Sequence, residues 1–161
     1  MNNHVGRNVL LGCSIVLLNC STATAALLPC DDVAHLIADS ANQFSSIKST
    51  EQYDTGTTKS NIQLPDSKNC EISGSGKLTT FRCVWEYVLG DEQAKTDFNQ
   101  YVAEAQHCLG ETTAIRQDQP VNHPDSYLSY LFELDGTNGR ISLKDKSQLN
   151  QTFIFFVIES R

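Results

Sequence analysis

The sequence predicts an α+β domain: two helices packed on an antiparallel sheet, in the order α-β-β-α-β-β-β, stapled by two disulfides. Three observations lead there. Residues 31–48 and 92–109 carry apolar side chains at helical spacing. Several shorter stretches alternate or run apolar over strand lengths, separated by turn-forming Gly, Asn and Asp. Four cysteines remain once an N-terminal leader is set aside.

Residues 1–25 read as a signal peptide, cleaved near Ala25. Arg7 is the only charged residue before Asp31, and the apolar core over residues 9–18 has the length of a leader. It is too short for a bilayer, which takes about 20 residues. Ala23 and Ala25 supply the small side chains that a leader peptidase reads. This leaves residues 26–161 as a single domain, periplasmic or secreted. The alternative is an envelope lipoprotein anchored at Cys20, although Asn19 stands where the lipidation signal calls for a small residue.

All 19 acidic residues lie beyond the leader, as do all but one of the 12 basic ones, so the mature chain stands at −8, one below the −7 of the whole. Its lysines are scattered, which argues against a nucleic-acid partner, since phosphate neutralisation needs a basic stripe. No stretch of the mature chain is long and apolar enough to predict a transmembrane segment.

The elements follow in order. In residues 31–48, Val33, Leu36, Ile37, Ala41, Phe44 and Ile47 share one helical stripe, and Cys30 extends it. Pro29 precedes it, and Asp31 and Asp32 suit the positive end of a helix dipole. Residues 49–69 are polar and read as a long loop. The segment 70–83 reads as a hairpin turning at SGSGK, and its second strand runs over 78–88 with Phe81, Cys83, Trp85 and Tyr87 on the core face. A second helix over 92–109 has Asp91 as N-cap and Gly110 as stop. Beyond it, TTAIR (112–116) offers a short edge strand. SYLSYLFEL and GRISLKDK pair across a glycine-rich turn, and Tyr127 and Tyr130 must then point to opposite faces. QTFIFFVIES is apolar on both faces, as in a central strand. A helix followed by a hairpin occurs twice, which raises a duplicated αββ unit.

The four mature cysteines, Cys30, Cys70, Cys83 and Cys108, allow three connectivities. The hairpin places Cys70 across from Cys83. Cys30 opens one helix and Cys108 ends the other, so the expected pairs are Cys70–Cys83 and Cys30–Cys108. The wide gaps between them argue against zinc, and the even number leaves no spare nucleophile.

Little else in the chain carries chemistry. His35 and His107 fall on the polar sides of their helices. His123, in VNHPDSY, is followed by Asp125 and Ser126, but three near neighbours on a loop do not assemble a Ser–His–Asp triad. DGTNG lacks the distal glutamate of a calcium loop, and no phosphate-binding or nucleotide motif is present, so no cofactor is expected. The expectation is a small exported acidic protein that binds another protein, as an inhibitor or immunity partner does. Its net charge suggests a basic partner, and His123, Asp125 and Tyr127 mark a candidate binding surface. The alternatives are a small exported hydrolase using the His123 loop and the Cys20 lipoprotein.

Overall fold

The computed structural model describes residues 26–53, 56–75, 78–110, 113–118, 125, 127–134 and 137–160. The expected leader, with Cys13 and Cys20, and His123 lie outside them.

Among the described residues, eight strands make one antiparallel sheet: β1 (Lys48–Tyr53), β2 (Thr57–Ser60), β3 (Asn69–Ser75), β4 (Leu78–Val88), β5 (Ile115–Gln117), β6 (Tyr127–Leu134), β7 (Thr137–Lys146) and β8 (Gln151–Ser160). Their spatial order is β1-β2-β3-β4-β8-β7-β6-β5. Two helices, α1 (Cys30–Ser40) and α2 (Glu92–Leu109), complete the α+β domain.

The chain order is therefore α-β-β-β-β-α-β-β-β-β, which corrects the expected α-β-β-α-β-β-β. The strands missed in the first half are β1 and β2. They lie at the sheet edge, where β1 is almost wholly exposed and needs no apolar face. Their Thr and Tyr content was the available signal. The repeated unit is thus a helix followed by four strands, and the two halves meet where β4 pairs with β8 along nearly their whole length.

The first helix is shorter than its apolar stripe. It ends at Ser40, and residues 41–47 form turns in which Gln43 and Phe44 adopt left-handed backbone angles. The Asp39 carboxylate accepts a hydrogen bond from the Ser46 backbone N–H at 3.2 Å, and Ser40 Oγ bonds the Ile37 carbonyl. Such local side-chain bonds compete with helix continuation. Phe44 and Ile47 still reach the core, carried there by the turn.

Both helices lie on the same side of the sheet. Tyr101 packs on Trp85 with ring centroids 4.5 Å apart, Phe98 packs on Tyr130, and Ser40 Oγ bonds Thr137 Oγ1 at 2.6 Å. Between the layers Phe81, Ile141, Ile154, Phe156 and Ile158 are fully buried. Trp85 donates its indole N–H to the Pro65 carbonyl at 2.9 Å, which satisfies its one polar atom.

Two disulfides fasten this arrangement. Cys70 and Cys83 are direct cross-strand partners in β3 and β4, with Cα atoms 4.1 Å apart. Cys30 and Cys108 tie the start of α1 to the end of α2 across 78 residues of sequence.

Candidate functional site

Antiparallel pairing carries one row of residues across the sheet on the side away from the helices. Glu71, Arg82, Val157, Arg140, Leu131 and Arg116 are successive neighbours from β3 to β5. One strand spacing is about 4.8 Å, so the three arginines recur at about 9.6 Å, with apolar side chains between them. On the neighbouring rows, Phe153 and Phe155 stack at 5.8 Å, and the Arg82 guanidinium lies 5.9 Å from the Phe155 ring.

The charges are distributed unevenly between the two sides. The helices and the Asp91 cap carry Asp31, Asp32, Asp91, Glu92, Asp97 and Glu104 at exposed or half-buried positions, against Lys95 alone. On the far side of β2 to β8, Lys59, Arg82, Arg116, Arg140, Lys144 and Lys146 outnumber Glu71, Glu86, Glu133 and Glu159. The helix layer is thus net negative and the far strands slightly net positive, and further acidic residues, Asp66, Asp118 and Asp125 among them, lie in the connections between elements. Lys144 has its pKa pushed below the usual lysine range, first by burial and then by the neighbouring Lys146 charge.

A cleft of about 220 Å³ opens on this far side over β7, lined by Arg116, Leu131, Glu133, Asn138, Arg140, Val157 and Glu159, with Gly139 and Phe132 at its base. Gly139 is required there because a Cβ would run into the Phe132 ring, which crosses it from the paired strand. Arg116 is held by Glu133 at 3.2 Å. Arg140 makes no ion pair among the described residues, and its Nε is buried with no hydrogen-bond partner. An uncompensated donor of this kind is costly and rare in a folded protein.

A second, more open depression near Val88, Leu149 and Asn150 offers less, because Lys68 and Gln151 both engage Glu86 there. Among the described residues, no three His, Cys, Asp or Glu side chains gather to hold a metal ion. No described helix is long and apolar enough to cross a membrane.

Two of the three surface residues singled out from sequence, Asp125 and Tyr127, are among the described residues. Asp125 accepts a hydrogen bond from Ser147 Oγ, and Tyr127 begins β6 on the far side, with Lys144 Nζ 6.0 Å from its ring centre. His123 belongs to the residues not described. His35 and His107 are exposed on their helices. Sequence reasoning passed over Arg116 and Arg140. Their signal was alternation within IRQ and GRISL, but the pairing that aligns them is non-local. No known protein family, curated protein or solved structure matches this chain.

Proposed function

We propose that the chain is an exported protein-binding module, of inhibitor or immunity type, which docks through the sheet face turned away from its helices. One observation carries the reading: that face interleaves arginines with half-buried Phe153, Phe155, Val157 and Leu131, while both helices cover the other side. Arginine and aromatic side chains are the residues that dominate protein interfaces. Two disulfides suit an oxidising compartment.

The charge asymmetry refines the partner. A basic protein would meet its complement on the helix layer. The far face instead fits a partner that presents apolar side chains together with carboxylates, and the acidic helix layer turns the molecule so that this face leads.

Two measurements test the reading. The intact mass of the chain exported with its own leader should give an N-terminus at Ala26 with no thiol labelled until reduction; a diacylglyceryl mass on Cys20 overturns the soluble form. A photo-crosslinking residue at Leu131 or Val84 should give a discrete protein adduct in envelope extract, and one at Ala34 or Asn99 should not. Adducts from the helix positions alone, or from neither side, reject the docking face.

A further inference from the structure

We propose that the cleft over β7 binds a small zwitterion of the α-amino-acid class, its carboxylate on Arg140 and its ammonium on Glu159. The charges lining the cleft reduce to one of each sign. Arg116 and Glu133 pair at 3.2 Å, which leaves the Arg140 guanidinium and the Glu159 carboxylate without ion-pair partners among the described residues. A simple anion would satisfy Arg140 but approach Glu159 unfavourably; a simple cation would do the reverse. A molecule carrying both charges closes both ends.

The geometry sets the size. Arg140 and Glu159 belong to rows two residues apart, since Arg140 pairs with Val157 and Asn138 with Glu159. Because they also stand on adjacent strands, the two are diagonal neighbours about 7–8 Å apart. A carboxylate and an ammonium on one carbon, each with a hydrogen bond of about 2.8 Å to its partner, cover that distance. The volume of about 220 Å³ is that of about seven waters at 30 Å³ each, enough for a backbone and a modest side chain over Leu131 and Val157. The Arg140 side chain is half-buried where it lines the cleft, so its guanidinium is partly stripped of water where a carboxylate would meet it. This inference does not depend on the docking reading.

The test is a nuclear magnetic resonance titration of the disulfide-intact chain, following the Gly139 and Arg140 amides and the Arg140 side-chain N–H. The probes are glycine, L-leucine and L-glutamine, with sodium acetate and methylamine hydrochloride as half-ligands. At least one amino acid should shift these resonances to saturation, and each half-ligand should bind at least about tenfold more weakly, a difference of about 1.4 kcal/mol. Arg140→Gln should abolish the shifts and Glu159→Gln should weaken them, while Arg82→Gln should leave them intact. The proposal fails if no amino acid shifts these resonances at tens of millimolar. It fails equally if acetate alone binds as well, if Arg82→Gln matches Arg140→Gln, or if the spectra show Arg140 paired directly with Glu159. Should Arg140→Gln not fold, Glu159→Gln and the half-ligands decide the matter alone.

Discussion

Phe155 and Phe156 are adjacent in β8 and chemically identical, yet the pleat sends them into different surroundings. Phe156 is fully buried beneath the helices, 6.2 Å from Phe132. Phe155 lies half-buried on the other side, against Phe153 and Arg82. One face of the sheet spends its apolar side chains on the core; the other leaves similar side chains within reach of solvent. The difference teaches where stability ends and recognition begins, because an apolar surface that none of the described elements covers is available to something else.

The largest test of this contrast acts on the helix side. Replacing both Cys30 and Cys108 by Ser removes a crosslink spanning 78 residues and should lower stability by about 4.5 kcal/mol in the chain-entropy account, read as a fall in the urea midpoint. Phe156→Ala should cost about 3–5 kcal/mol, as large-to-small changes in a packed core do. Phe155→Ala should cost only about 1 kcal/mol, since less than a full side chain leaves contact. Equal losses at the two positions would mean that both faces are structural and would remove the basis for docking. Gly139→Ala lies between the faces: its new methyl would meet the Phe132 ring, which is itself buried, so a loss of about 1–3 kcal/mol is expected.

Alkaline titration separates the helix side further. Tyr87 and Tyr101 both have their phenol pKa raised, chiefly by burial, and Tyr87 also by its hydrogen bond to Asp97 at 2.9 Å. The folded state therefore holds these protons more tightly than the unfolded chain. Their contribution is intact below the ordinary tyrosine value of about 10 and is lost as the pH rises from there through the raised folded values. Tyr87→Phe should flatten the loss of stability above about pH 10, measured by denaturant midpoints at mild and high pH. The smallest effect is expected on the outer surface of α2. Glu92→Gln breaks an exposed pair with Lys95 at 2.8 Å and should change stability by no more than about 0.5 kcal/mol.

Local signals explain which elements could be read in advance. The α2 stripe, its Asp91 cap and its Gly110 stop all agree, and the helix runs over Glu92–Leu109. The long β4 alternation and the two-sided apolar β8 were equally plain, and β8 does lie in the middle of the sheet between β4 and β7. The α1 stripe misled at its two ends: Cys30 and Ala41 are exposed, and Phe44 and Ile47 are buried from a turn rather than from a helix. The pair β1 and β2 carried no hydrophobic period because the edge of a sheet demands none. The cleft was the least legible part. Arg116, Leu131 and Val157 come from strands far apart in the chain, and no local pattern records that they become neighbours.

What the sequence by itself determined was the material that acts over short range: helical and strand periods, caps, turn chemistry, and cysteines placed at the ends of elements that could bring them together. Those depend on spacing within a few residues. Only the tertiary structure decided which strand lies beside which, and with that which arginines share a row, which carboxylate leaves Arg140 unpaired, and which sheet face the helices leave uncovered. Strand order is set by how two four-stranded halves bury their apolar faces against α1 and α2 together. That is a balance over the whole core and cannot be apportioned to any one segment.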